Sequence, residues 1–168
     1  MGIAAAGYIP DARGQVNDIR FFSQSSKLVY DEPVDVGTVA KYAADEFQHY
    51  TQYAGVRPMG VALIIGGVDN NGNALFLVDP SGTYVAYNAV AIGANSDIVT
   101  EFLKKEYKPD ITIDEGIMLA IAAIYLASEI KEGTKHIKIS QIRSDTKQFE
   151  IITDEHLTKL AQSTAEKY

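Results

Sequence analysis

The sequence predicts an α+β fold in which antiparallel strands form a sheet that amphipathic helices cover. Residues 60–92 read as three strands separated by two turn sequences. Residues 10–50 and 96–127, on either side of them, carry apolar side chains at helical spacing. Strands that follow one another in sequence usually pair, and helices between strand groups cover sheet faces, so a layered α+β body is expected.

The predicted sheet is organised around residues 60–68, a nearly unbroken apolar run. This run is typical of a strand covered on both faces, so it should lie in the middle of the molecule. Residues 69–72 tolerate positive φ and predict a hairpin into a second strand over about residues 74–78. The Asp79–Gly82 sequence contains a proline and a glycine and predicts another turn, followed by a third strand over residues 84–92.

Three elements are predicted before these strands. Residues 3–7 are small and predict a strand that neighbours approach closely. Pro10 and Asp11 suit the start of a helix that runs to about Gln24 and buries apolar residues at helical spacing, namely Val16, Ile19, Phe22 and Phe21. After an interruption at residues 31–33, Asp35 can cap a second helix. Its predicted apolar stripe consists of Val36, Val39, Ala40, Ala43, Phe47 and Tyr50.

Two helices, two short strands and a last helix are predicted after residue 95. Ser96 can cap the first helix, which ends before Pro109. Residues 112–115 form a capping-box sequence for the second, which is predicted to continue to Gly133. Its predicted buried stripe consists of Ile117, Ala120, Ile121, Ile124 and Ala127. Isoleucines at 137, 139 and 142 and apolar residues at 149 and 151 mark the strands, Thr153 can cap the last helix, and residues 167–168 are predicted to fray.

Composition limits the class of protein. At 168 residues, of which 46% are hydrophobic, the chain suits one domain over residues 1–168, and no linker or repeat divides it. A net charge of -7 leaves no basic stripe for nucleic acid. The absence of cysteine excludes a disulfide framework, and no apolar run approaches the roughly 20 residues needed to span a bilayer. We therefore expect a cytoplasmic protein without a nucleic-acid or membrane partner.

Motifs of catalysis and cofactor binding are not recognised in the sequence. The glycines at 66, 67 and 72 lack a following lysine and lie between strands, which favours a hairpin over a phosphate loop. His49, His136 and His156 are too dispersed for a local pair of metal ligands. No serine lies in a strand-to-helix elbow, and many aspartates fall at helix starts, where capping explains them. We therefore assign no catalytic, cofactor-binding or metal residue.

The connector that contains Arg57 has a sequence that indicates a role beyond packing in the core. Tyr53, Gly55, Arg57 and Pro58 lie within a glycine-flanked segment, and Pro58 biases the preceding arginine towards extended backbone. Two readings are open: Arg57 bonds a carboxylate or carbonyl of its own chain, or it contacts another subunit through its planar guanidinium. In either case we expect its side chain to be ordered by hydrogen bonds.

Several long motifs resemble one known family. YTQYAGVRPMGVALIIGGVD and LFLVDPSGTYVAYNAVAIGANSD, together with GYIPDAR and YDEPVDV, are similar to α-type subunits of the archaeal 20S proteasome. The resemblance implies the four-layer αββα sandwich of the N-terminal-nucleophile hydrolases. It also implies a non-catalytic subunit of a seven-membered ring, stacked on β-type rings, that gates substrate access and docks an AAA ATPase activator.

The chain also departs from this pattern. The family normally has some tens of residues before the strand at residues 3–7, including a gating tail, a helix and the first strands. Ala54 and Met59 replace the usual glycine and aromatic residue, which are tolerable packing changes. We expect the strand at residues 3–7 to pair with a strand outside this numbering or in a neighbouring copy, and a particle built from the chain as it stands to be ungated.

Two other functions remain open on the sequence. The first is an active β-type threonine protease, whose mature chain begins with the threonine that supplies both nucleophile and base. This sequence begins Met1-Gly2 and has no threonine before Thr38, which disfavours that reading. The second is a binding module that does not assemble, formed by an incomplete sandwich.

Overall fold

The computed structural model describes residues 1–128, 134 and 136–167, and its elements follow the predicted order. They are β1 (Gly2–Gly7), α1 (Ile9–Tyr30), α2 (Val36–Gln52), β2 (Val61–Asp69), β3 (Gly72–Val78), β4 (Tyr84–Ala86), α3 (Ser96–Glu106), α4 (Ile113–Ala127), β5 (Ser140–Ile142), β6 (Phe149–Ile151) and α5 (Asp154–Lys167). The backbone divides into two compact units, Met1–Gly93 and Ala94–Tyr168, which are described separately below. The assignment of the whole chain to one domain stays a prediction.

The first unit contains a four-stranded antiparallel sheet in the order β1-β2-β3-β4. β2 is therefore an inner strand, as predicted. β1 pairs with β2 from Gly2 opposite Gly66 to Gly7 opposite Val61. The other edge of β1 pairs with no strand of the described residues, so the expected partner strand at that edge stays a prediction.

The core of the first unit lies on one face of β2. Val61, Leu63 and Ile65 are at most 1% exposed, and they belong to the same buried cluster as residues of α1 and α2, among them Ile19 and Phe47. The opposite face of β2 is half-buried. The prediction of a strand buried on both faces is therefore correct for one face only within the described residues.

Helix α1 is longer than its apolar spacing predicts. It continues to Tyr30, where Asp31 takes a left-handed conformation (φ 56°) and donates its N–H to the Lys27 carbonyl. Apolar spacing does not predict the last two turns, because their apolar side chains are exposed, with Leu28 at 87%. Phe21, which was expected on the buried stripe, is also 73% exposed because it lies on the outer face of the helix.

Helix α2 begins as predicted. The Asp35 carboxylate accepts hydrogen bonds from the backbone N–H and the hydroxyl of Thr38. A second carboxylate, that of Asp69 at the end of β2, accepts the N–H of Val36 at 2.9 Å. The predicted stripe is buried except for Tyr50, which is 38% exposed because it lies beside the surface connector that follows the helix.

Strand β4 is shorter than predicted, since it ends at Ala86 rather than near residue 92. Ala86 pairs with Phe76, and one further backbone bond runs from Tyr87 N–H to the Leu75 carbonyl. β4 pairs with β3 alone among the described strands, so nothing on its other side extends the ladder. The predicted end of β4 is too late because alternating apolar residues carry no information about the length of the partner strand.

In the second unit, two helix starts can be compared with their predictions. The capping box of α4 is confirmed, because Thr112 and Glu115 each bond the other's backbone N–H. For α3 the predicted cap is wrong by one residue. Asn95 precedes the helix in a left-handed conformation, and its side-chain amide donates to the Ala127 carbonyl rather than capping α3.

The remainder of the second unit consists of a buried cluster and a β5-β6 hairpin. The predicted continuation of α4 to Gly133 is wrong, because the helix ends at Ala127, where Ser128 takes an extended conformation and its N–H bonds the Ile124 carbonyl. Gly133 itself lies outside the described residues. Ile124 is 39% exposed rather than buried, because neighbouring α4 residues form the inner face. Leu157 of α5 is buried. α5 includes Lys167, the first of the two residues expected to fray, and Tyr168 lies outside the described residues.

Candidate functional site at the residue 53–60 connector

The connector between α2 and β2, residues 53–60, is fastened to the first turn of α1. Arg57 Nη1 donates to Asp11 Oδ2 at 2.6 Å, and Arg57 Nη2 donates to Asp11 Oδ1 at 2.9 Å. Nη1 also donates to the Pro58 carbonyl at 3.0 Å. Paired charged hydrogen bonds of this kind fix orientation as well as contribute energy. The prediction that Arg57 is ordered by hydrogen bonds is confirmed.

Asp11 is the centre of this arrangement. Its Oδ2 also accepts the Gly60 N–H at 2.9 Å, and the Gly60 carbonyl accepts the Tyr8 N–H at 2.7 Å. Its side chain is only 14% exposed. The Arg57 guanidinium and, after it, the Gly60 N–H stabilise the carboxylate and lower the pKa of Asp11 from 3.8 to about 2. The connector therefore closes onto α1 through a fully ionised aspartate at neutral pH.

Arg57 also lies over an aromatic ring. Its guanidinium carbon is 5.1 Å from the centre of the Tyr8 ring, a distance at which a cation is attracted by the ring face. The Arg57 side chain nevertheless remains 60% exposed. The guanidinium is thus held in place and still presented at the surface, so a contact with another subunit stays a prediction.

The other predicted connector residues, Gly55, Pro58 and Tyr53, differ in their relation to the Arg57 network. Gly55 takes φ +85°, a conformation that side chains disfavour, and Pro58 supplies the carbonyl that Arg57 bonds. Tyr53 terminates α2 and is 67% exposed, with its ring 6.4 Å from that of His49. The structure therefore joins Arg57 and Pro58 in one hydrogen-bond network and leaves Tyr53 at the surface.

An open cleft of about 430 Å³ lies between α1 and the connector. It is lined by Pro10, Asp11, Gly14, Gln15, Asp18, Tyr50, Val56, Arg57 and Met59. Gln15 is 3% exposed, and its side-chain Oε1 is buried without a hydrogen-bond donor among the described residues. Gln15 and Asp18 are not among the site residues predicted from the sequence, although their spacing from Asp11, four and seven residues, places all three on one helix face.

Neither a converging group of metal ligands nor a membrane-spanning helix occurs among the described residues. Within them, no group of three histidine, aspartate or glutamate side chains converges as metal ligands would. His156 and Asp114 approach to 3.6 Å at the surface of the second unit. No helix in this part of the chain has the length and apolar character needed to cross a membrane. The connector network is suited to ordering and presenting a surface.

The family match and three relatives of this chain point to the same family. Residues 1–141 match the family described as "Proteasome subunit". The chain is 38% identical over 168 residues to proteasome subunit alpha of Methanosarcina barkeri, covering all of this chain and 68% of that protein. It is 40% identical over 156 residues to proteasome subunit alpha 1 of Haloferax volcanii, covering 92% of this chain and 62% of the relative.

A third relative, proteasome subunit alpha of Archaeoglobus fulgidus, is 37% identical over 164 residues, which are 98% of this chain and 66% of the relative. The chain thus spans about two thirds of the length of these relatives. The match includes the connector and the whole four-stranded sheet, because it extends over nearly every residue. The chain belongs to the proteasome subunit family.

Proposed function

We propose that this chain is a non-catalytic α-type subunit of a 20S proteasome core, acting in the cytoplasm in protein degradation. In this role it builds a ring and controls access of substrates, while catalysis belongs to another subunit. The observation that carries the proposal is the 38% identity to an α-type relative over all 168 residues. Relatives from Methanothermobacter thermautotrophicus and Haloquadratum walsbyi are also named proteasome subunit alpha.

The fold supports this role. An antiparallel sheet whose buried face packs with residues of α1 and α2 corresponds to one sheet and one outer helix layer of the αββα sandwich. The second unit contains three helices and a hairpin, element types that also occur in this sandwich. We therefore infer the sandwich of the N-terminal-nucleophile hydrolases for the assembled subunit.

The proposed partners are like subunits in a seven-membered ring, β-type subunits, and an AAA ATPase activator. We propose the connector residues Tyr53, Gly55, Arg57 and Pro58 as part of a subunit contact. Arg57 is ordered yet 60% exposed, and Tyr53 and Val56 beside it are 67% and 48% exposed. Arginine and aromatic residues are enriched at protein interfaces, which supports this assignment.

Peptide hydrolysis tests the proposal against an active β-type protease. The isolated chain should cleave no fluorogenic peptide, whereas a particle co-expressed with an archaeal β-type subunit should cleave it. Changing the β subunit's catalytic threonine to alanine should abolish that activity. Hydrolysis by the isolated chain that disappears when one of its own residues is replaced would refute the non-catalytic role.

A further inference from the structure

The cleft between α1 and the connector contains a buried acceptor that the described residues leave without a donor. Gln15 lines this cleft, and its Oε1 has no hydrogen-bond partner in the described part of the chain. An unpaired buried acceptor lowers stability, because the amide gives up its bond to water and gains none in return. A donor in the cleft would remove this penalty once the Gln15 amide rotates its shielded oxygen towards the cleft.

The charge of the cleft favours a cationic donor. The Asp11 carboxylate is compensated by Arg57 through two hydrogen bonds. Asp18 lines the same cleft one helical turn beyond Gln15, and among the described residues it forms no hydrogen bond or salt bridge that would neutralise it. Since all three side chains share one face of α1, the cleft offers one surplus negative charge beside the buried carbonyl.

The remaining lining suits the stem of a long side chain. Tyr50, Val56 and Met59 are apolar or aromatic and lie on the side formed by the α2 end and the connector. Gly14 leaves open space, because a Cβ added there would meet nothing within 4 Å. Arginine combines an apolar stem with a planar group of five donors that can bond a carboxylate and a carbonyl together.

We propose that this cleft binds a basic side chain, preferentially arginine, presented by a partner polypeptide. Its guanidinium bonds the Asp18 carboxylate and, once the Gln15 amide rotates towards the cleft, the Gln15 carbonyl, and its stem packs against Tyr50 and Val56. The exposed apolar residues at the cleft favour a polypeptide over a small free cation, because flanking side chains of the partner can cover them. This binding involves residues of the cleft alone and does not require ring assembly.

Binding of short peptides to the full 168-residue chain tests the proposal. The probe is Ac-Leu-Arg-Leu-NH₂, and its matched control replaces arginine with citrulline, which has the same shape without the charge. Chemical shifts of the Gly14 backbone amide and the Gln15 side-chain amide report occupancy. The arginine peptide should shift both signals saturably, and the citrulline peptide should bind about fivefold more weakly, the upper range for an exposed ion pair. Equal binding of both peptides would overturn the proposal.

Variants of the chain locate the site. Asp18→Asn should weaken arginine-peptide binding about fivefold, whereas Asp45→Asn, which removes the same charge elsewhere, should leave it unchanged. Gly14→Leu should fill the cleft and abolish the shifts while raising the thermal midpoint, since leucine favours helix more than glycine. Gly14→Ala is the control for Gly14→Leu and should retain binding, because a methyl group at this position does not fill the cleft. Undiminished binding by Gly14→Leu would contradict the assigned location.

A third experiment distinguishes binding of a polypeptide from binding of a small free cation. Spermidine carries several ammonium groups but no flanking apolar residues. It should shift the Gln15 amide less than the arginine peptide does at equal concentration. Spermidine binding as tight as that of the peptide would overturn the assignment to a partner polypeptide.

Discussion

Arg57 and Asp11, 46 positions apart in sequence, are joined by two parallel hydrogen bonds of 2.6 and 2.9 Å. The pair ties the connector after α2 to the first turn of α1, and the Gly60 N–H adds a third bond to the same carboxylate. The Asp11 side chain therefore holds the start of α1 against the connector and against Gly60, the residue before β2. This gives Asp11 a role beyond the helix-start preference that its position indicates.

Replacing Asp11 should loosen this junction. Asp11→Asn keeps the shape but removes the charge that bonds Arg57, so we expect the free energy of unfolding to fall by about 1 to 2 kcal/mol. Urea unfolding followed by circular dichroism measures the change. Asp45→Asn is the control, because Asp45 belongs to a solvent-exposed pair with Lys41 that contributes little to stability. Equal effects of the two changes would show that the Asp11 bonds are not stabilising.

The same carboxylate should make stability depend on acid pH. The folded-state pKa of Asp11 is lowered from 3.8 to about 2, so its contribution is present above pH 3.8 and is lost as the pH falls towards 2. The difference in thermal midpoint between the natural chain and Asp11→Asn should therefore be constant from pH 7 to about pH 5 and shrink between about pH 4 and 2. A difference that stays constant down to pH 2 would contradict the lowered pKa.

The turn at residues 79–82 should tolerate no side chain at its glycine. Gly82 has φ +87°, and a Cβ there would lie 2.8 Å from the Ala44 carbonyl oxygen and 2.6 Å from Gln48 Cβ. Gly82→Ala should therefore destabilise by about 3 kcal/mol, combining backbone strain with overlap. Gly72→Ala is the matched control, because Gly72 also has positive φ but open space around it, and it should cost about 1 kcal/mol. Similar losses at both positions would argue against the contact with α2.

Gln15 provides a test of the unpaired acceptor. Gln15→Leu has a similar volume and removes the buried carbonyl, so we expect the free energy of unfolding to rise by about 1 kcal/mol. Gln15→Glu should instead lower it, because a carboxylate would be buried beside Asp11 and Asp18. Thermal unfolding of the two variants at pH 7 measures both changes. A loss of stability in Gln15→Leu would show that the carbonyl has a stabilising partner.

The element order and several contacts could be predicted from the sequence, because they depend on neighbouring residues. The capping box at Thr112 and the cap at Asp35 are local chemistry, and the apolar alternation of β2 marks its buried face. The extent of β4 could not be predicted, since it depends on the partner strand β3. The sequence predicts that Arg57 bonds a carboxylate or carbonyl but does not identify the residue. Its partner Asp11 is remote in sequence, and its position at a helix start is already explained by helix stabilisation.

The mass of the native assembly tests the proposed α-type ring most directly. Native mass spectrometry of the purified chain, alone and after co-expression with an archaeal β-type subunit, distinguishes a ring from a non-assembling module. We predict a ring of about 128 kDa, seven times the 18.3 kDa of one chain, or a larger particle that contains it. A single species at 18.3 kDa under both conditions would contradict the account.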